Sequence, residues 1–326
     1  MSGPELALSV TDLSVGFDHR SGHVNVVERA NLALKRGKTL ALVGESGCGK
    51  SLLTLSLMGL VELPGRVTSG ILDFAGSSHS LSAQASLAPL RGARVGMVFQ
   101  EPMSALNPVF TVGMQIAENL KTHGLADDAA LHGLAVDWIR RVGLPDPDRA
   151  YDVYPHQLSG GMKQRVMIAM ALAAEPEVLF ADEPTAALDA TVQGQILMLL
   201  RTLQHEQSLA MLLVTHDLGI VRQYADEVAI MYAGQIVEVA PVAALMSTPA
   251  HPYTEALLAC RPGAALPGAA LPTIPGTVPR PQNFVAGCRF APRCKQRLER
   301  CAQEHPGWTS PTGARGVACW LHDVPA

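Results

Sequence analysis

Gly44-Glu45-Ser46-Gly47-Cys48-Gly49-Lys50-Ser51 is the stretch on which the fold of this chain turns. It has the form G-x-x-x-x-G-K-S, follows the apolar run Thr39–Val43 and leads into the apolar stretch Leu52 to Val61. A glycine-rich turn between a buried strand and a helix lets main-chain N–H groups close on phosphate oxygens, where the helix dipole adds positive potential. The cradle comprises Gly44, Glu45, Ser46, Gly47, Cys48, Gly49, Lys50 and Ser51, with Leu52 behind it. Lys50 is placed to reach the β- and γ-phosphates and Ser51 to ligate Mg²⁺. The Cys48 thiol has no assigned role.

A second anion site follows later in the chain. Leu158-Ser159-Gly160-Gly161-Met162 opens an apolar helical stretch running to Ala174, so its N–H groups and dipole also face an anion. The apolar run Val178–Ala181 then ends in two carboxylates, Asp182 and Glu183. The carboxyl end of a strand is where open α/β sheets bind ligands. Asp182 suits Mg²⁺, directly or through water, and Glu183 suits polarisation of an attacking water. One nucleotide rarely needs two cradles. The economical reading is two half-sites, each completed by a partner ATPase.

Around these motifs the chain reads as α/β. Leu6–Leu13 and Val24–Leu34 form an N-terminal antiparallel layer, and Val67–Phe74 and Val95–Phe99 are further strands. Helical periodicity in Val112–Leu120 and Ala129–Val142 places an inserted helical subdomain at about 101–157. Strand and helix then alternate over Glu177–Asp182, Ala190–His205, Leu209–Thr215, Leu218–Tyr224 and Val228–Met231, which argues for a largely parallel sheet. The boundaries are a nucleotide-binding domain over 1–260 and an appendage over 261–326, where ten of the 23 prolines lie.

The 326 residues are 48% hydrophobic and 17% charged, which suits a full core and excludes a disordered chain. The net charge of −4 disfavours nucleic acid as a partner. That charge is uneven, with eight Lys/Arg against three Asp/Glu from Arg261 onward. No apolar stretch reaches the roughly 18 to 20 residues of a spanning helix. No secretory signal is visible, so the expected location is the cytosol, where six cysteines are poor candidates for disulfides.

Taken together, these residues resemble the nucleotide-binding subunit of an ABC transporter, a P-loop NTPase, over about residues 5 to 260. Leu158–Met162 is similar to the LSGGQ signature, with Met162 in place of Gln. By that resemblance Gln100 is the Q-loop glutamine that senses Mg²⁺ and contacts the membrane subunit. Ala187-Leu188-Asp189 is the D-loop, His216 the switch histidine on the γ-phosphate, and Phe17 the aromatic that stacks on adenine. The resemblance thus assigns Glu183, His216, Gln100 and Lys50 to catalysis. Phe17, the loop 44–52, Gln100, Asp182 and the partner-facing Ser159, Gly160 and Gly161 bind MgATP, with Ser51, Gln100 and Asp182 at Mg²⁺. No catalytic position departs from the active pattern.

Gln100–Pro108, Tyr154-Pro155-His156-Gln157 and His251-Pro252-Tyr253-Thr254 resemble the branch that imports di- and oligopeptides, and the tail resembles its C-terminal extension. The resemblance implies a second, similar ATPase (a heterodimer), two membrane-spanning permease subunits and an external peptide-binding protein. It places the chain peripherally on the cytoplasmic face of the inner membrane. A related nickel or small-solute importer is the alternative. A soluble ABC ATPase is a further one, disfavoured by the short helical insertion, and its form with an iron–sulfur sensor tail is disfavoured by the complete ATPase set.

The tail carries Cys288, Cys294, Cys301 and Cys319 in a Pro-rich segment too short for its own core, and such segments usually need a staple. Five, six and 17 residues separate them, without the tight pairs usual in zinc sites. Four thiolates without histidine suit a [4Fe–4S] cluster, and Arg289, Arg293, Lys295, Arg297 and Arg300 surround them. Zinc, with His305 and His322 in reserve, and plain free thiols are the alternatives. Cys260 is expected to be buried and inert.

Overall fold

The computed structural model describes residues 5–19, 22–261, 272–312 and 315–322. Part of the tail expected at 261–326 therefore lies outside the described residues. Two units are distinguished, one built from 1–7, 34–38 and 87–214 and the other from 8–33, 39–86 and 215–326.

In the first unit, strand Val178–Asp182 runs parallel to Val95–Val98 on one side and Ala210–Thr215 on the other. Every residue of the three is buried, because the strands of a parallel sheet are covered on both faces. Their near-continuous apolar runs follow from that. Helices Pro102–Ala105, Val112–Thr122, Asp128–Arg141 and Pro147–Tyr151 follow strand Val95–Val98 in the chain. Thr111 and Asp127 start the two longer ones, each accepting a main-chain N–H three residues on. Arg140 and Arg141 lie in the last turn of Asp128–Arg141, at the negative end of its dipole. Ile116, Leu120, Leu131, Ala135, Trp138 and Ile139 supply the apolar faces at helical spacing.

The second unit opens with a four-stranded antiparallel sheet, in the order Gly22–Lys35, Leu6–His19, Gly65–Phe74, Ser77–Ser80. The first strand runs six residues past the expected Leu6–Leu13, and the second nearly coincides with the expected Val24–Leu34. Ser77–Ser80 has no apolar signal at all; it pairs with the preceding strand through Ala75-Gly76, both at positive φ, as a tight hairpin turn requires. Elsewhere in the unit, Thr39–Val43 pairs in parallel with Glu227–Tyr232, whose other edge takes Gln235–Pro241 antiparallel.

The tail extends this sheet. Arg315–Val317 hydrogen-bonds along Gln235–Pro241, with Glu238 opposite Val317, and Thr309–Thr312 pairs outside it. Phe290 reaches the core between Tyr232 and Tyr253, with ring centroids 5.2 and 5.3 Å away. Ile274, Val278, Phe284, Cys288 and Cys294 pack on the same cluster. A Pro-rich segment with little apolar area of its own thus shares a core rather than building one.

Buried groups tie down the same region. Glu238 is fully buried and accepts the N–H groups of Ala250 at 3.0 Å and His251 at 2.9 Å, with Arg315 beside it. His251 Nδ1 in turn accepts Tyr253 N–H at 3.0 Å and caps helix Pro252–Ala259. Burial, aided by the nearby His322, pushes the His251 pKa from 6.5 down to about 3. Between those two values the unfolded chain binds a proton that the folded chain refuses. The stability owed to this neutral histidine is therefore complete above about pH 6.5 and declines as pH falls toward 3. Urea unfolding at pH 7 and pH 4.5 is expected to show that loss in the wild type. In His251→Asn, which keeps a capping oxygen but cannot titrate, the pH-dependent part should shrink.

Candidate functional site

The phosphate loop lies in the second unit, between strand Thr39–Val43 and helix Lys50–Leu57. Gly49 enters the helix at φ +106°, a conformation that side chains strain to adopt. Lys50 is buried, and its ammonium group donates to the carbonyls of Gly44 at 2.9 Å and Glu45 at 3.3 Å. Ser46 and Gly47 are exposed at the turn, and Ser51 and Leu52 are half-buried in the first helical turn. Cys48 is buried, and burial pushes its thiol pKa up, which keeps it protonated and weakly nucleophilic. Phe17 is half-buried near the end of its strand, beside Gly65, where an added Cβ would stand 2.8 Å from the Phe17 ring. His216 is exposed and directly follows strand Ala210–Thr215.

The first unit holds the carboxylates and the second cradle. Asp182 is buried at the end of its strand. Glu183 turns out of it at φ +44° while its N–H still donates to Val214 O at 3.0 Å. A left-handed non-glycine residue costs on the order of 1–3 kcal/mol, and here that turn brings the carboxylate to Gln100, whose Nε2 donates to Glu183 Oε2 at 3.4 Å. The structure thus brings together Gln100 and Glu183, two residues 83 positions apart.

Ser159 caps helix Gly160–Leu172, accepting Met162 N–H at 3.4 Å, and Ser159 and Gly160 are both exposed. The first turn of a helix leaves main-chain N–H groups without intrahelical partners, and Ser159 takes up one of them. Gly161 faces helix Ala190–Gln207, where a Cβ would meet Val192 Cγ1 at 2.6 Å. Asp189 caps that helix, taking the N–H groups of Thr191 and Val192 at 3.0 Å each.

Residues 27–186 match the family described as ABC transporter, and residues 237–301 match the one described as oligopeptide/dipeptide transporter, C-terminal region. Dipeptide transport ATP-binding protein DppD of Escherichia coli strain K12 is 44% identical over 312 residues, covering 96% of this chain and 95% of that protein. This chain belongs to the ABC transporter ATPases. DppD of Bacillus subtilis strain 168 is 43% identical over 320 residues, covering 98% and 96%. Among solved structures, the dimeric cassette MJ0796 superposes with a TM-score of 0.64 at 25% identity, over 72% of this chain and 98% of that one. The cassette cbiO1 from Clostridium perfringens gives 0.63 at 28%, over 75% and 92%. As an ABC ATPase the chain binds and hydrolyses ATP, and it has a P-loop fold with an antiparallel layer and a helical segment. Among the described residues no helix is long and apolar enough to cross a membrane.

For the tail of this ABC ATPase, the metal expectation is not met as stated. Cys288, Cys294, Cys301 and Cys319 are all free thiols lining one cavity of about 20 Å³. Yet among the described residues no group of three or more His, Cys, Asp or Glu side chains could hold a metal as placed. Burial raises the thiol pKa of Cys288, to about 11, and those of Cys294 and Cys319. The reserve ligands are elsewhere: His322 Nε2 is 2.9 Å from Ala250 O, and His305 does not line the cavity. His251, which the spacing argument passed over, does line it, and its Nε2 is buried without a hydrogen-bond partner. Four thiols and an orphaned imidazole suit a soft metal in composition, though not in the spacing shown. Cys260 is half-buried at the end of helix Pro252–Ala259 rather than buried.

The closeness of Gly161 to Val192 makes a direct test. Gly161→Ala should destabilise the fold by about 1–3 kcal/mol through overpacking. Thermal unfolding of Gly161→Ala alone and paired with Val192→Ala is expected to show the second change recovering most of the loss.

Proposed function

We propose that this ABC ATPase is the subunit that powers import of di- or oligopeptides through a membrane importer, from the cytoplasmic face of the inner membrane. One observation carries the reading: similarity to dipeptide transport ATP-binding proteins runs through nearly the whole chain, tail included. Peptide recognition would fall to two membrane-spanning permease subunits and an external binding protein. The ATPase would act with a second, similar cassette as a heterodimer.

In this reading the residues divide their work. The loop 44–52 and Lys50 hold the phosphates, Phe17 stacks on adenine, and Ser51, Gln100 and Asp182 hold Mg²⁺. Glu183 polarises the attacking water with His216 on the γ-phosphate, and Ser159, Gly160 and Gly161 close the partner's site. The exposed helix start at Ser159 supports that last role, since the first turn of a helix can offer main-chain N–H groups to an anion. ATP then shifts the equilibrium by binding the closed dimer better than the open one.

In the assembled importer, Glu183→Gln should bind MgATP, accumulate closed and lose hydrolysis by about 10²–10⁴-fold, the usual worth of general-base assistance. Uptake of a labelled dipeptide should fail with it. Wild-type turnover would remove the base assignment, and normal peptide uptake in cells lacking the chain would remove the transport reading. Ser159→Arg should depress hydrolysis in the partner's site while ATP binding at Lys50 persists.

For the tail we propose a soft-metal site on the four thiols, a [4Fe–4S] cluster in preference to zinc, supported by their sharing one cavity. Its role would be structural. Anaerobically purified protein should be brown, with broad absorption near ~400 nm and about four irons per chain. Colourless protein with one zinc would replace the cluster by zinc, and metal-free protein would end the proposal.

A further inference from the structure

The phosphate loop is gripped from the tail. Arg293 stands next to Cys294 and places a two-pronged ion pair on Glu45, the second residue of the loop, with Nη1 to Oε2 at 2.6 Å and Nη2 to Oε1 at 3.1 Å. Its remaining donor capacity is spent on the tail and the core: Nε on Pro275 O at 2.8 Å, Nη2 on Ile274 O at 3.3 Å and Nη1 on the Tyr232 hydroxyl at 3.3 Å. The Arg293 side chain is 7% exposed and that of Glu45 25%, so the pair is sheltered from the screening that weakens surface ion pairs. Glu45 is also held through its backbone. Its N–H donates to the Tyr253 hydroxyl at 3.0 Å, and Tyr253 packs on Phe290 of the tail.

A carboxylate in a triphosphate cradle is a misplaced charge unless something neutralises it. An unpaired Glu45 would repel the incoming phosphates and compete for the Lys50 ammonium group. Paired in a planar fork, it is neutralised and fixed in direction, and the loop's N–H groups keep the shape they need. We propose that Arg293 is a positioning residue for ATP binding: it cancels and orients Glu45, so the folded tail sets the affinity of the phosphate loop. This rests on residues 44–51 being the ATP cradle. The ordinary alternative is that Arg293 merely staples the tail.

The two are separable by measuring the Kd of a fluorescent ATP analogue with Mg²⁺ on the full chain, alongside the thermal midpoint of each variant. Arg293→Met should raise Kd roughly tenfold, the scale for losing a sheltered charge-assisted pair. Arg293→Lys, which keeps the charge without the fork, should recover part of the loss. In a Glu45→Gln background, where no charge is left to cancel, Arg293→Met should change Kd by less than about twofold. An unchanged Kd in Arg293→Met, or the same rise in both backgrounds, would overturn the proposal. If Arg293→Met does not fold, Arg293→Lys measured in both backgrounds makes the same comparison. Lys50→Ala is the control on the cradle: if it binds the analogue like wild type, the cradle assignment has failed rather than the Arg293 inference.

Discussion

A phosphate loop works only if several main-chain N–H groups converge on one point, and no side chain can impose that convergence from within. The loop has to be held from its two ends and from outside. Here the Cys48 carbonyl takes the Gly234 N–H at 2.8 Å, the Glu45 N–H is taken by Tyr253, and Gly49 supplies the left-handed entry to the helix. Lys50 is buried with only carbonyl oxygens as partners in its hydrogen bonds. A buried ammonium group satisfied by neutral acceptors has its strongest electrostatic gain still to make, and in the proposed role a phosphate would supply it. Much of the ordering cost of binding there would therefore be met when the chain folds.

The first unit shows the same logic in a different form. Its strands are apolar from end to end, so polar chemistry is confined to where they stop. Asp182 and Glu183 occupy such an end, and the left-handed turn at Glu183 redirects a side chain that the strand's pleat would otherwise aim elsewhere. The surrounding sheet makes that strain tolerable, because Glu183 N–H keeps its partner on the neighbouring strand. Capping does comparable work at Ser159 and Asp189, each taking up an N–H group at the start of its helix.

What could be read from the sequence was what depends on local pattern. The phosphate loop, the signature, the acidic strand end and the amphipathic helices each announce themselves within ten or fifteen residues, and the structure gives them the expected backbone. Ser77–Ser80 could not be read from hydrophobicity, because an edge strand of polar residues is specified by its turn, Ala75-Gly76, and its neighbour. The structural roles of His251, Tyr253 and Arg293 could not be read for a related reason. Each acts across long sequence separations, 248 positions between Arg293 and Glu45, and one of five basic residues around the tail cysteines reads as a counter-charge for whatever they hold. His251-Pro252-Tyr253-Thr254 stood out only as a stretch resembling the peptide-importing branch.

The tail shows why its cysteines resist a decision from spacing alone. Zinc sites announce themselves by tight pairs because a short loop must close round the metal. Four thiols spread over 288–319 can meet only if something else brings the chain back. In this fold that something is in part the core shared with Phe290, and in part the strand Arg315–Val317 laid along Gln235–Pro241. Both precede Cys319 in the chain and depend on residues outside the tail, so convergence on one cavity needs no metal to enforce it. A metal arriving there would have to draw in thiols that burial keeps protonated, and it would bind with release of their protons. Its affinity would therefore rise with pH, whereas convergence of the thiols through the shared core needs no such proton release.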